Sequence, residues 1–276
     1  MNRAWQPVES TRLHPVHTQD DPCDPRQNQL LAALPAAGLQ ALWPHLQAVD
    51  LPLGKALCAP GRPGPQVVFP TTALVSLRYT TRDGDSSEIA VVGNDGVVGV
   101  AQFMGGGAQP AQAVVQSAGR GYALCERSLT RELVVAGPLM AIVLRYAEVL
   151  IAQVAQTAAC NRHHTIDQQF CRRLLLGLDR LPSDELEMTH ETMAGLLGVR
   201  REGVTAAAVK LQRAGIIRYR RGRIAVLDRQ RLERSTCECY AAAKREQDRL
   251  LPMPPAALGA GGRSPDLTVR RFAEAR

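Results

Sequence analysis

The sequence predicts an α+β protein: an N-terminal antiparallel β-roll, one long helix, and a C-terminal helical domain that ends in a hairpin. Three observations predict it. Short β-type runs separated by turn signals occupy residues 51–133, a helical period runs from Pro138 to Asn161, and a basic segment from 197 to 226 reads as helix, glycine turn, helix and hairpin. The boundaries that follow are a disordered tail at 1–26, the roll at 27–136, the long helix at 137–163, the helical domain at 164–251 and a second disordered tail at 252–276. Both tails hold Pro, Gly, Ser and isolated charges without a hydrophobic period.

Composition narrows the class. The chain has 276 residues, 45% of them hydrophobic, enough for two modest domains with real cores. No run of consecutive apolar residues reaches the roughly 18 that span a bilayer, and residues 1–25 are polar and proline-bearing, unlike a signal peptide. A cytoplasmic protein with no membrane partner is expected. Seven scattered cysteines, an odd number, fit reduced thiols better than a disulfide framework.

In chain order, the stretch NQLLAALPAAGLQALWPHL is broken by Pro35 and Pro44 into two short helices. The runs VVFP, ALVSLRYTT, SEIAVVG, AVVQSAG and GYALCE then alternate with turns such as Asp83-Gly84 and Asn94-Asp95-Gly96, which reads as a small antiparallel sandwich or barrel. The long helix starts at Pro138, where a first turn tolerates proline. It carries two apolar stripes: Leu139, Val143, Tyr146 and Leu150 on one side, and Leu144, Ala147, Ile151, Val154 and Ala158 on the other. A helix apolar on two sides needs two partners, so the second stripe is expected to be a dimer seam. A hinge is expected at RHHTIDQQF, followed by the helix CRRLLLGLDRL. Thr189 can cap HETMAGLL, Gly198 permits a tight turn, and Val204, Ala207, Ala208 and Leu211 form the buried stripe of the next helix. Gly215 closes that helix, and IIRYRRGRIAV turns back at Arg221-Gly222.

Charge placement gives this domain its chemistry. Residues 196–234 hold eleven Lys or Arg against three acids, a surplus larger than the +7 of the whole chain. Such a concentration attracts a polyanion. Two helices joined by a glycine turn and followed by a basic hairpin make a winged helix-turn-helix. In that frame Arg200, Arg201, Glu202 and Thr205 are the expected base readers, since an Arg binds the guanine edge bidentately and a carboxylate accepts from cytosine. Thr189, Lys210, Arg213 and the wing residues Arg218, Arg220, Arg221 and Arg223 are expected at phosphates, adding affinity without sequence information.

The order of elements resembles the CRP/FNR family of bacterial transcription regulators over residues 28–250. The segment MTHETMAGLLGVRREGVTAAAVKLQRAGIIRYRRGRIAVL, residues 188–227, is similar to the family's DNA-reading block, with Gly198, Arg201 and Glu202 on its pattern. The resemblance implies a β-roll like a cyclic-nucleotide-binding domain and a homodimer on a two-fold symmetric operator. Double-stranded DNA, a second copy and RNA polymerase would be the partners. Ala206 departs from the cyclic-AMP-binding members, which often carry an Arg there, so the operator need not be theirs. The segment that resembles the nucleotide cassette, residues 96–116, has Val100 where a Glu is expected and no basic residue for a phosphate. Cyclic AMP is therefore not expected in the usual way, although Gly99, Gly105, Gly106 and Gly107 form a candidate effector loop. An alternative is a ligand- or redox-gated sensor with an unidentified effector.

No cofactor and no metal are predicted. Cys23 stands alone near the N-terminus, which argues against an iron-sulfur sensor, and nothing in the spacing of Cys58 or Cys125 asks for haem. Cys237-x-Cys239 is the only close pair and is read as buried or idle thiols, while His163 and His164 are read as surface or helix-terminal histidines. Between residues 46 and 162 there is no histidine, which disfavours a cupin-like metalloenzyme. Catalytic signatures such as G-x-S-x-G and the phosphate loop are absent, so no enzyme is expected.

Overall fold

The computed structural model describes residues 24–61, 64, 66–105, 111–125, 128–129 and 137–251. The chain enters through a 3₁₀ turn into α1 (Gln29–Ala32) and α2 (Ala36–Leu42), divided at Pro35 as the sequence predicts. Asn28 fastens this entrance. It is fully buried, its side-chain oxygen accepts from the N–H groups of Leu30 and Leu31, and its amide donates to the carbonyls of Pro70 and Gly96.

Among the described residues, seven strands build the roll: β1 (Leu46–Leu51), β2 (Ala56–Cys58), β3 (Gln66–Pro70), β4 (Leu74–Thr80), β5 (Ser86–Val92), β6 (Gln112–Ser117) and β7 (Gly119–Cys125), with the short helix α3 (Val100–Phe103) between β5 and β6. They pair antiparallel in two sheets, ordered β1-β7-β3 and β2-β6-β4-β5. Val67, Phe69, Val75, Val92, Val115 and Leu124 fill the space between the sheets. The first strand begins at Leu46 rather than Leu51, and α3, at four residues, is too short to carry a helical period.

Helix α4 (Pro138–His163) then runs for 26 residues. Leu139, Val143 and Tyr146 of its first stripe are buried against the roll, with Leu150 half-buried. Tyr146 approaches so closely that a Cβ on Gly96 would collide with its hydroxyl. In the second stripe Leu144 and Ile151 are 51% and 66% exposed, Ala158 is exposed, Val154 is half-buried and Ala147 is buried among the described residues. By length and composition α4 could cross a membrane, which differs from the expectation that no stretch would do so. In this fold α4 is half a core helix. Its Gln153 is buried and accepts from the N–H of Val91 on the outer strand β5, closing part of an otherwise open sheet edge.

The expected hinge is far shorter than RHHTIDQQF. Only His164 and Thr165 separate α4 from α5 (Ile166–Leu178), because Thr165 and Gln168 form a capping box that restarts the helix at once. Next come β8 (Glu185–Glu187), α6 (His190–Leu197), α7 (Arg201–Arg213), the hairpin β9 (Ile217–Arg220) and β10 (Arg223–Val226), α8 (Arg229–Ser235) and α9 (Glu238–Leu250). Strand β8 extends the hairpin to three strands, ordered β8-β10-β9; at three residues it is too short to show a period. Helix α9 returns to pack along α4.

Among the described residues, two buried ion pairs join the roll to the helical domain. Arg173 of α5 bonds Glu88 of β5, and Arg180 lies 2.7 Å from Asp95 in the turn after β5. All four side chains are at least nine-tenths buried.

Candidate nucleic-acid interface

The helix-turn-helix is set by local chemistry. The Thr189 hydroxyl accepts from the N–H of Thr192, 3.0 Å away, and caps α6. Gly198 ends that helix at φ +67°, a left-handed conformation that favours glycine. Val204, Ala207, Ala208 and Leu211 seat α7 in the core formed with α5 and α6, as the spacing predicts. The opposite side of α7 faces outward. Arg200 is its exposed N-cap, and Arg201 and Glu202 occupy the first turn. Arg201 is 65% exposed and stands 3.8 Å from Glu191, an ion pair weak enough to be exchanged for an outside partner.

Thr205 is placed differently. It is half-buried, and its hydroxyl lies 3.1 Å from His190 Nδ1. The imidazole in turn stacks on Tyr219 of the wing at 4.2 Å between ring centroids. This chain of contacts ties α6, α7 and β9 together, and sequence reasoning missed it because His190 carries no motif. Burial, and secondly the charge of Arg201, hold the His190 imidazole below its ordinary pKa, so it stays neutral near pH 7.

The wing turns on two left-handed residues, Arg221 at φ +49° and Gly222 at φ +78°, the conformation of a two-residue type I′ hairpin. Arg218, Arg220, Arg221 and Arg223 are exposed along it. Arg223 donates to Glu187 at 2.8 Å, and Lys210 is paired with Asp167 at the start of α5. Both pairs are exposed, and Arg213 is exposed at the end of α7. The wing tip also lines a cleft with Arg78 and Gln116 of the roll.

In the candidate effector segment Gly99 is left-handed at φ +101° and caps α3, where a Cβ would press on Val67. Gly105 is left-handed and open, Val100 is buried, and Gly106 and Gly107 lie outside the described residues, as do Cys23, the expected N-terminal tail up to residue 23 and the whole expected C-terminal tail. Cys237 and Cys239 are buried, as read, and His164 stands at the helix end as its C-cap, partly buried, with its Nδ1 3.4 Å from the Cys239 sulfur.

Comparison with known proteins agrees with this geometry. Residues 168–235 match the family model of the Crp-like helix-turn-helix domain. No curated protein matches the chain in sequence. Among solved structures it is similar to a CRP/FNR-family protein from Eubacterium rectale, with 16% identity, TM-score 0.58, and coverage of 76% of this chain and 98% of that one. It is similar to a CRP/FNR-family transcriptional regulator from Thermus thermophilus, with 22% identity, TM-score 0.56 and coverage of 71% and 98%. FixK2 from Bradyrhizobium japonicum gives 16% identity, TM-score 0.58 and coverage of 70% and 98%. Residues 168–235 are thus a Crp-like helix-turn-helix domain, carried on the fold of the CRP/FNR transcription regulators.

Proposed function

We infer that the protein is a DNA-binding transcription regulator of the CRP/FNR type that acts as a homodimer in the cytoplasm, with RNA polymerase as a further partner. One observation carries the reading: α7 is fixed from behind by four buried apolar residues while its first turn and the wing present arginines outward. A rigid frame of this kind suits reading of a major groove, because base contacts need fixed geometry while phosphate contacts need only charge. In this reading Arg200, Arg201 and Glu202 meet base edges. Thr205 holds α7 in place through His190. Thr189, Lys210, Arg213 and the wing arginines lie at the backbone, Lys210 and Arg223 after releasing their exposed carboxylate partners.

The exposed stripe of Leu144, Ile151 and Ala158 on α4 supports a homodimer, since a second copy would cover it and set two α7 helices on successive grooves. The roll supports no cyclic AMP in the usual mode: Val100 is turned inward and residues 96–116 bring no basic side chain to a phosphate. Titration of the full chain with duplexes at several salt concentrations tests the reading. The logarithm of the affinity is expected to fall linearly with the logarithm of salt concentration, and the affinity to differ between duplex sequences. Equal binding to all duplexes and to heparin would overturn it.

A further inference from the structure

Cys160 and His164 are four residues apart, so they lie on one side of the last turn of α4. Cys237 is the N-cap residue of α9 and Cys239 lies in its first turn. The fold brings these two pairs together: the Cys160 and Cys237 sulfurs are 3.6 Å apart, Cys239 Sγ is 3.4 Å from His164 Nδ1, and all four potential ligand atoms lie within 4.8 Å of one another. We propose that Cys160, His164, Cys237 and Cys239 bind a single zinc ion.

The metric fits that ion. Zinc–sulfur bonds of about 2.3 Å and zinc–nitrogen bonds of about 2.0 Å give tetrahedral edges of roughly 3.8 Å between sulfurs and roughly 3.5 Å between sulfur and nitrogen. The two shortest separations match these edges, and small rotations of the side chains close the others. Four ligands this close surround one ion and leave no room for a polynuclear cluster. Three thiolates and an imidazole select zinc over hard cations, which take oxygen ligands.

The surroundings point the same way. With Nδ1 turned to the sulfurs, His164 presents Nε2 to Glu238 Oε1 at 3.2 Å, the carboxylate–histidine arrangement that orients a metal-bound imidazole. Gln169 donates to the His164 carbonyl at 2.8 Å and holds the break between α4 and α5 in shape. Three thiolates and one divalent cation leave one negative charge in a buried place. Arg172 is itself buried, acts electrostatically on Cys160, and has an Nε–H without a hydrogen-bond partner. A redox pair would use two of the thiols and leave the third, the imidazole and Glu238 without a role. Zinc uses them all, and it would tie the end of α4 to α9 across the two-residue break that leads to the DNA-binding domain. The proposal is independent of the DNA reading, because metal content is measured without DNA.

The test is metal analysis of the full-length protein, reduced, stripped with chelator and dialysed against zinc or cobalt. One zinc per chain is expected, and the cobalt form should show sulfur-to-metal charge transfer with the visible bands of a tetrahedral site. Cys237→Ser should lose the metal, Cys125→Ser, outside the cluster, should keep it, and Glu238→Gln should fold and bind about 10- to 100-fold more weakly. No uptake by the reduced wild-type protein, full retention by Cys237→Ser, or a Cys160–Cys237 disulfide persisting in reductant would overturn the proposal.

Discussion

At Arg221 the demands of the fold and of the proposed DNA contact fall on a single position. Its left-handed backbone is a conformation that Asn adopts more easily than Arg, and Asn-Gly is the preferred pair for a type I′ turn. Arg221→Asn should therefore keep or raise hairpin stability while weakening binding to every duplex alike and reducing the salt slope by about one. Arg201→Ala and Glu202→Ala should instead cost about 1–3 kcal/mol on the preferred sequence and relax base preference, which competitive titration against mismatched duplexes would show. An Arg201→Ala protein with unchanged affinity and preference would remove that residue from the reading head. His190 gives a pH dependence. Its native pKa lies below the ordinary 6.5, so the unfolded chain binds the proton more readily. The stability present above pH 6.5 is lost as pH falls through that value toward the native pKa. Thermal melts should show Tm falling on acidification, and less steeply in His190→Gln.

At the scale of elements, the two stripes of α4 make different demands. Leu139, Val143 and Tyr146 are buried on the roll, whereas the outward stripe centres on Ile151, which is exposed among the described residues. Ile151→Arg leaves the roll core untouched, so the expected outcome is a folded monomer in sedimentation equilibrium; a dimer of undiminished strength would exclude this seam. The ion pairs between β5 and α5 behave in the opposite way. Glu88→Ala strands the Arg173 guanidinium in a buried place and should cost about 3–5 kcal/mol in denaturant unfolding. Most elements were legible because they are locally encoded: Pro35 divides two helices, Thr189 and Gly198 bound α6, and Arg221-Gly222 turns the wing. What was not legible depends on distance along the chain. Glu88 and Arg173 are 85 residues apart, and Cys160 and Cys237 are 77 apart. No period or spacing links them, so their pairing shows only when the fold brings the partners together. The short break after His163 was missed for a related reason: a capping box at Thr165 and Gln168 restarts a helix where the polar text suggested a hinge.

As a whole, the molecule joins a packed roll, a helix with one side spent inward and one left open, and a basic reading head held by buried contacts. Each part is incomplete alone. In the proposed homodimer a second copy would cover the exposed apolar stripe of α4 and set the spacing of two basic heads. The central claim is that two such heads, related by two-fold symmetry, read successive major grooves on one face of DNA. Selection of bound duplexes from a random library by the full-length protein tests it most directly. The expected result is a palindromic consensus with half-site centres about one helical turn, roughly 34 Å, apart; a single unpaired half-site, or no consensus, would contradict it.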